Sequence, residues 1–107
     1  MAATIRASHI LLMHKDAQSS LNERTRDQAL ADIEALKSKI QAGEASFADV
    51  AYAHSDCPSG EDGGDLGPFR PGMMVPEFDK AAFALDVGQM SGVVETPFGY
   101  HLILRTE

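Results

Sequence analysis

The chain has 107 residues, of which 44% are hydrophobic and 23% are charged, and it carries a net charge of −7 with a pI near 4.9. This length is enough for one domain and too short for two, so we expect a single domain over residues 1–107. A composition close to the globular average excludes a disordered chain. The negative charge disfavours attraction to nucleic acid or to an anionic membrane, and a single cysteine, Cys57, excludes an intrachain disulfide.

The amino-terminal residues, Met1 to Arg6, lack the apolar segment of a signal peptide, and no apolar run is long enough to cross a bilayer. The sequence therefore predicts a soluble chain located in the cytoplasm. It is equally compatible with a domain cut from a longer, anchored protein.

The first half of the chain predicts one strand followed by two helices. Residues 4–13 carry apolar side chains on both faces of a strand, which is typical of a central strand. Residues 23–42 place leucine and isoleucine at helical spacing, which predicts a long helix that ends at Gly43. Ser46 is expected to cap a second, shorter helix, with Asp49 as a weak capping-box partner. Phe47, Val50, Ala51 and His54 would lie along one face of that helix.

The second half predicts a long loop, a further helix and a closing hairpin. Residues 55–65 contain three glycines, one proline and four acids, which is typical of a functional loop. The expected elements after it are a short strand over 66–69, a helix from Pro76 to Gly88, and strands over 90–95 and 99–105. This mixture predicts an α+β domain with helices packed around a small, mainly antiparallel sheet.

Two histidines, His9 and His101, lie inside apolar strands at opposite ends of the chain. A buried polar side chain is costly unless it is hydrogen-bonded, and a second strand histidine is one possible partner. If the two strands are neighbours, the pair forms a buried polar core beneath a binding surface.

Several motifs of unusual composition follow one another along the chain. They are Ala7-Ser-His-Ile-Leu, Ser55-Asp-Cys57, Gly63-Gly-Asp-Leu-Gly-Pro-Phe69, Met74-Val-Pro-Glu-Phe78, Gly88-Gln-Met-Ser-Gly-Val-Val94 and Phe98-Gly-Tyr-His-Leu-Ile-Leu-Arg105. In these motifs, from about Ile5 to Arg105, the chain resembles the parvulin family of peptidyl-prolyl cis-trans isomerases. The resemblance implies a parvulin-like (FKBP-like) fold, a four-stranded antiparallel sheet surrounded by helices.

The resemblance also implies the activity and its partners. The enzyme would accelerate cis/trans interconversion of X–Pro bonds without a cofactor or a metal, and so assist protein folding. The expected partners are proline-containing peptides and flexible or unfolded protein segments, bound by a monomer, with neither nucleic acid nor membrane involved.

By the same resemblance, His9 and His101 form the base of the active site, and Cys57 and Thr96 complete their hydrogen-bond network. An apolar cup for the proline ring would be formed by Leu66, Met74 and Phe78, with Phe98 enlarging its hydrophobic wall. The histidines are expected to orient and polarise the site, since no proton transfer is obligatory in this reaction. Attack by Cys57 as a nucleophile is disfavoured because relatives carry aspartate at that position.

The loop after the first strand predicts that no phosphate is required. Some parvulins prefer phosphoserine or phosphothreonine before proline and bind it with a lysine and arginine cluster in this loop. Residues 13–20 here contain one lysine, one acid and no arginine, and the acids between Asp56 and Asp65 add an unfavourable potential. The acids argue for a basic residue before proline, whereas Met73 and Phe98 argue for an apolar one, and the sequence does not decide between them.

Two rival interpretations remain open. One is a metal site drawn from His9, His14, His54, His101 and Cys57, which is weakened because His9 and His14 would point to opposite faces of a strand. The other is a peptide-binding or chaperone module with the same fold and little isomerase activity. Val75, where some active relatives carry glutamine, favours this second alternative, but the intact histidine pair and apolar cup favour an enzyme.

Overall fold

The computed structural model of the protein describes residues 4–15 and 24–107. Within these ranges the elements are β1 (Ile5–Leu12), α1 (Arg26–Gln41), α2 (Phe47–His54), β2 (Asp65–Phe69), α3 (Pro76–Phe83), β3 (Val94–Thr96) and β4 (Gly99–Arg105), with a 3-10 helix over Pro58–Asp62. None of the helices in the described part of the chain is long and apolar enough to cross a membrane.

The strands form one four-stranded sheet in the order β2-β1-β4-β3, and every neighbouring pair is antiparallel. The predicted α+β fold and the central position of β1 are therefore confirmed. The first and last long strands lie side by side, with His9 opposite Ile103 and Leu11 opposite His101. This register brings the two histidines, one from each end of the chain, onto neighbouring strands.

The sheet is covered on both faces, which explains why β1 is apolar on both sides. On one face, Ile10, Leu12 and Leu102 pack in a core with buried residues of α1 and α2. On the other face, Ile5 and Ile103 pack in a core with buried residues of α3. His9 and His101 contact Phe78 of α3, so the histidine pair lies on the α3 face.

The helix boundaries differ from the prediction for local reasons. The expected start of α1 at residue 23 lies outside the described residues. Within them, Thr25 caps the helix and forms a complete capping box with Gln28. At the other end, Gly43 and Glu44 donate their amides back to Ile40 and Lys39, which is the Schellman arrangement that a glycine at this position permits.

The second helix confirms Ser46 as its cap, because the Ser46 hydroxyl accepts the Asp49 amide at 3.1 Å. The reciprocal bond, in which the Asp49 carboxylate would accept the Ser46 amide, is not formed at this cap, so the capping box is only half formed. Phe47, Val50 and Ala51 are buried as expected, but His54 at the end of the helix is exposed.

Three further boundaries were predicted incorrectly. Part of the expected loop over 55–65 is the 3-10 helix, which begins at Pro58, and α3 ends at Phe83, before Gly88. The expected strand over 90–95 is reduced to β3 and an isolated bridge between Met90 and Leu104. The strand is interrupted because the Ser91 hydroxyl, rather than a backbone carbonyl, accepts the Ile103 amide.

Gly64 allows the segment before β2 to approach the backbone of His9. Its carbonyl accepts the His9 amide at 2.9 Å, and its φ of +88° lies in the region that favours glycine. A Cβ at this position would collide with the carbonyl oxygen of His9, whereas a Cβ at Gly43, also at positive φ, would meet open space.

The substitution Gly64→Ala should therefore destabilise the fold much more than Gly43→Ala. Both variants force alanine into left-handed backbone, which costs about 1–2 kcal/mol, but only the first also forces the two chain segments apart. We expect a loss of roughly 3 kcal/mol or more for Gly64→Ala, measured by urea unfolding. Equal losses for the two variants would show that the contact with His9 is unimportant.

Candidate active site

The base of the candidate site is a direct contact between the two strand histidines. Nδ1 of His9 lies 3.1 Å from Nδ1 of His101, and the two rings stack with centroids 5.3 Å apart. Each ring is almost fully buried, at 6% exposure for His9 and 4% for His101. A contact of this kind requires one nitrogen to donate and the other to accept, so the two rings adopt different tautomers if both are neutral.

The hairpin between β3 and β4 provides the second partner of His101. Oγ1 of Thr96 lies 2.7 Å from Nε2 of His101, and the Phe98 amide donates to the same oxygen at 3.2 Å. Thr96 is the last residue of β3 and pairs with Gly99, so the tight turn itself holds the hydroxyl beneath the ring. Thr96 therefore lies behind the histidine pair.

The hydrogen-bond pattern assigns a direction to this chain of groups. If the Thr96 hydroxyl donates to His101, then His101 donates from Nδ1 to His9, and only the Nε2–H group of His9 remains unpaired. In the opposite direction, two groups of the described residues remain unpaired, the Thr96 hydroxyl hydrogen and the bare Nε2 of His9. Buried unpaired polar groups each carry a penalty, so the first direction is favoured.

Both rings are held neutral by their environment. Burial lowers the pKa of His9 from 6.5 to about 4. Burial, together with the charge that His9 would carry, lowers the pKa of His101 to about 3. At neutral pH the pair is therefore a set of oriented dipoles without net charge, unsuited to acid catalysis by an imidazolium ion.

Above the histidine pair lies a cavity of about 310 Å³. Phe78 sets one wall, because its ring stands edge-on to His9 at 5.5 Å and to His101 at 5.4 Å. The residues around the cavity are His9, Leu11, Met13, Asp56, Cys57, Pro58, Leu66, Met74, Val75, Phe78, Phe98 and His101. Most of these side chains are apolar, so the cavity offers a dry site for a compact hydrophobic ring.

The structure brings together seven of the eight predicted site residues around this cavity, and Thr96 lies behind them. The predicted bond between Cys57 and the histidine network is not formed. The Cys57 thiol instead accepts the hydroxyl of Ser59 at 3.2 Å, because the 3-10 helix that starts at Pro58 brings Ser59 back towards it. Cys57 is thus a wall residue of the cavity.

Leu11, Met13, Asp56 and Pro58 line the cavity but were missed as site residues. Leu11 and Met13 follow His9 at alternate positions of the strand, so strand periodicity could have identified them. Asp56 and Pro58 flank Cys57, and only the folded backbone shows that they reach the same wall.

One ion-pair cluster borders the cavity on the Met13 side. The carboxylate of Asp56 accepts the Met13 amide at 2.8 Å and pairs with Arg24 at 3.1 Å. Arg24 also pairs with Asp32 at 3.5 Å and donates to the Met13 carbonyl at 2.9 Å. The positive charge of Arg24 is therefore balanced by two carboxylates.

The five residues of the metal alternative do not come together in one place within the described ranges. No three histidine, cysteine or acidic side chains in the described ranges gather as a metal site. His14 packs against Tyr100, a residue of the core beneath α1 and α2, on the face of the sheet opposite His9. His54 is exposed at the end of α2, so His14 and His54 both lie outside the cavity that His9, His101 and Cys57 line.

The lowered histidine pKa values predict that acid destabilises the fold through this pair. Below about pH 6.5 the unfolded chain binds protons that the folded rings do not bind until about pH 4 and pH 3. The free energy of unfolding should therefore fall as the pH falls through this window. His9→Leu should make that slope shallower by up to about 1.4 kcal/mol per pH unit.

Urea unfolding at a series of pH values measures this slope. Ile103→Val is the matched control, because it weakens the same face of the sheet without removing a titrating group. Parallel slopes for His9→Leu and the unmodified chain would contradict the assignment of a neutral, buried pair.

Comparison with known proteins identifies the family. The model of the family described as a rotamase, PPIC-type PPIase domain, matches residues 9–107. A relative named peptidyl-prolyl cis-trans isomerase Pin1, from Digitalis lanata, is 44% identical over 112 residues that cover 95% of each chain. The solved structure of the peptidyl-prolyl isomerase ESS1 from Candida albicans matches with a TM-score of 0.95 at 36% identity.

The coverage of the solved structures is unequal. The match to ESS1 covers 98% of this chain and 63% of the Candida protein, so this chain spans less than two thirds of that relative. PrsA from Bacillus subtilis matches with a TM-score of 0.80 at 37% identity, over 98% of this chain and 35% of PrsA. The family match, the sequence identity and the shared fold agree, and the chain belongs to the PPIC-type, or parvulin, family of peptidyl-prolyl cis-trans isomerases.

Proposed function

We propose that this chain acts as one domain over residues 1–107 that isomerises X–Pro bonds by stabilising the twisted imide without covalent chemistry and without a phosphate requirement. The observation that carries the proposal is the combination of a dry apolar cavity with a neutral histidine pair at its base. The histidine pair presents fixed dipoles, whereas the apolar walls accept the proline ring.

The reaction needs only a modest change in the relative stability of two amide geometries. The planar amide is stabilised by resonance, and the barrier to rotation is about 18–20 kcal/mol. When the C–N bond twists, resonance is lost, the nitrogen becomes pyramidal and gains a lone pair, and the carbonyl loses part of its polarity. Each 1.4 kcal/mol by which a site favours that twisted state gives about tenfold in rate.

The cavity favours the twisted state in two ways. Its apolar walls, formed in part by Leu66, Met74 and Phe78, withdraw the stabilisation by water more from the polar planar amide than from the less polar twisted one. The Nε2–H group of His9 is unpaired among the described residues and buried at the base of the cavity, and we infer that substrate binding shifts the ring so that this group donates to the lone pair that develops on the proline nitrogen. That interaction exists only in the transition state, so it lowers the barrier instead of tightening ground-state binding.

The proposal also assigns roles to the remaining predicted residues. Thr96 fixes the orientation and tautomer of His101, which in turn fixes His9. Phe98, half-buried in the hairpin, extends the hydrophobic wall. Cys57 contributes shape and moderate polarity to the opposite wall, and no covalent step is assigned to it.

The charges near the cavity support a phosphate-independent activity. Arg24 already pairs with Asp56 and Asp32, and Asp56 itself lines the cavity, where it would repel a phosphate. Met13, an apolar residue, occupies the wall beside it. The rest of the loop that was predicted not to bind phosphate, residues 16–20, lies outside the described residues.

A binding role without efficient turnover is the second candidate. Val75 lines the cavity where some active relatives carry glutamine, so one hydrogen-bonding side chain is missing from the wall. The same cavity would then hold a proline or aromatic side chain of an unfolded segment, as a chaperone does.

An isomerisation assay with X–Pro peptides separates these functions. With X as leucine, arginine, glutamate or phosphoserine, we expect the leucine or arginine peptide to isomerise far faster than the uncatalysed background, with no advantage for phosphoserine. A preference for phosphoserine would contradict the proposed phosphate independence. Binding of the same peptides without any acceleration would favour the chaperone candidate.

The role of the hydrogen-bond chain predicts a second result. Thr96→Val preserves the shape of the side chain but removes the hydroxyl that orients His101, so kcat should fall by about tenfold or more. Ser91→Ala is the matched control, because Ser91 also holds a buried amide of β4 but lies outside the cavity. Equal losses of kcat in the two variants would show that Thr96 acts only through stability.

A further inference from the structure

A second cavity adjoins the proposed proline cavity. Its volume is about 400 Å³, and it shares Asp56, Cys57 and Pro58 with the first cavity. Its outer side is bounded by Tyr52 of α2 and Glu61 of the 3-10 helix. The two cavities are thus separated only by the short segment 56–58, over which an extended peptide in the first cavity can continue into the second.

Tyr52 is an aromatic side chain held out into solvent. It is 72% exposed, although its neighbours Val50 and Ala51 are buried against the sheet. A single exposed apolar residue is ordinary. This one differs because its place on α2 puts it at the border of a cavity that adjoins the candidate active site.

The charge beside Tyr52 is negative and unbalanced. Glu61 and Asp62 are both exposed, and neither forms an ion pair with any described residue. By contrast, Asp65 of the same acidic segment is paired with Arg6 at 2.6 Å. An aromatic face beside free carboxylates is the combination that binds a lysine or arginine side chain, through a cation–π contact and an ion pair.

We propose that the groove between Tyr52 and Glu61 is a subsite for a basic residue of the substrate, separated in sequence from the proline. The inference rests on the proposed function, because a proline bound in the first cavity sets the position from which the other peptide residues are counted. Crossing one extended chain segment takes about 5 Å, the spacing of adjacent strands, and therefore at least two peptide residues at roughly 3.3–3.6 Å each. The basic residue should therefore lie at least two positions from the proline, in contrast to the residue directly before it.

The expected gain is moderate because the groove is open to water. An exposed cation–π contact and an exposed ion pair together should raise kcat/KM, or tighten binding, by about 5- to 10-fold. Because both interactions are electrostatic, most of the gain should disappear at 1 M salt.

The test uses a peptide series with a single leucine-proline bond. One lysine is placed two, three or four positions from the proline, on either side, and each peptide has a partner with norleucine in place of lysine. Affinity is measured by NMR titration of the intact chain, and turnover by the isomerisation assay. We expect lysine to give the gain at one position or at adjacent positions on one side of the proline.

Substitutions then locate the subsite. Tyr52→Ala and Glu61→Gln should each abolish most of the lysine gain and leave turnover of a short leucine-proline tetrapeptide unchanged. Glu44→Gln is the matched control, because it removes the same charge from an exposed position outside the groove. It should preserve the gain.

Three results would overturn the proposal: no difference between lysine and norleucine at any position, a gain that survives both groove substitutions, or an equal loss in Glu44→Gln. These failures are distinct from failure of the proposed function. If the domain does not isomerise the tetrapeptide, the NMR titration still compares lysine with norleucine, and a lysine preference that depends on Tyr52 would support the subsite in a binding module.

Discussion

The hydrogen bond between Nδ1 of His9 and Nδ1 of His101 is the interaction on which the site depends. It joins β1 to β4, and so links the two ends of the chain across the centre of the sheet. Because both rings are buried, neither can be satisfied by water, and each becomes the main partner of the other. The register of β1 against β4 therefore also sets the geometry of the candidate active site, and a shift in that register would separate the two histidines.

The surrounding structure compensates for only part of the cost of burying this pair. Thr96 satisfies the outer nitrogen of His101, and the Gly64 carbonyl satisfies the backbone amide of His9, but Nε2 of His9 has no partner in the part of the chain that the structure describes. An unpaired donor of this kind destabilises the folded protein. Under the proposed function, the same donor would gain a partner in the transition state, because the twisted substrate supplies an acceptor that the planar substrate lacks.

The strands and helices could largely be predicted because they depend on patterns within single segments, whereas the contact between the two histidines depends on the pairing of β1 with β4 and was expected only from the family resemblance. His9 and His101 are conspicuous as polar residues inside apolar strands, and Thr25 with Gln28 is a capping signal that the sequence already contains. The bond from Cys57 to Ser59 and the groove beside Tyr52 could not be predicted in this way. Both depend on how the 3-10 helix packs against α2, and neither segment carries that information alone.

The most direct test of the account is the tautomeric state of the two histidines, measured by long-range nitrogen-proton NMR correlation at neutral pH on ring-labelled protein. The account predicts that His9 is protonated at Nε2 and bare at Nδ1, whereas His101 is protonated at Nδ1 and bare at Nε2. In Thr96→Val this assignment should weaken, since His101 loses the hydroxyl that fixes it. Protonation of His9 at Nδ1, or a positive charge on either ring, would contradict the account, because the donor proposed for the twisted imide would then be missing or the pair would no longer be neutral.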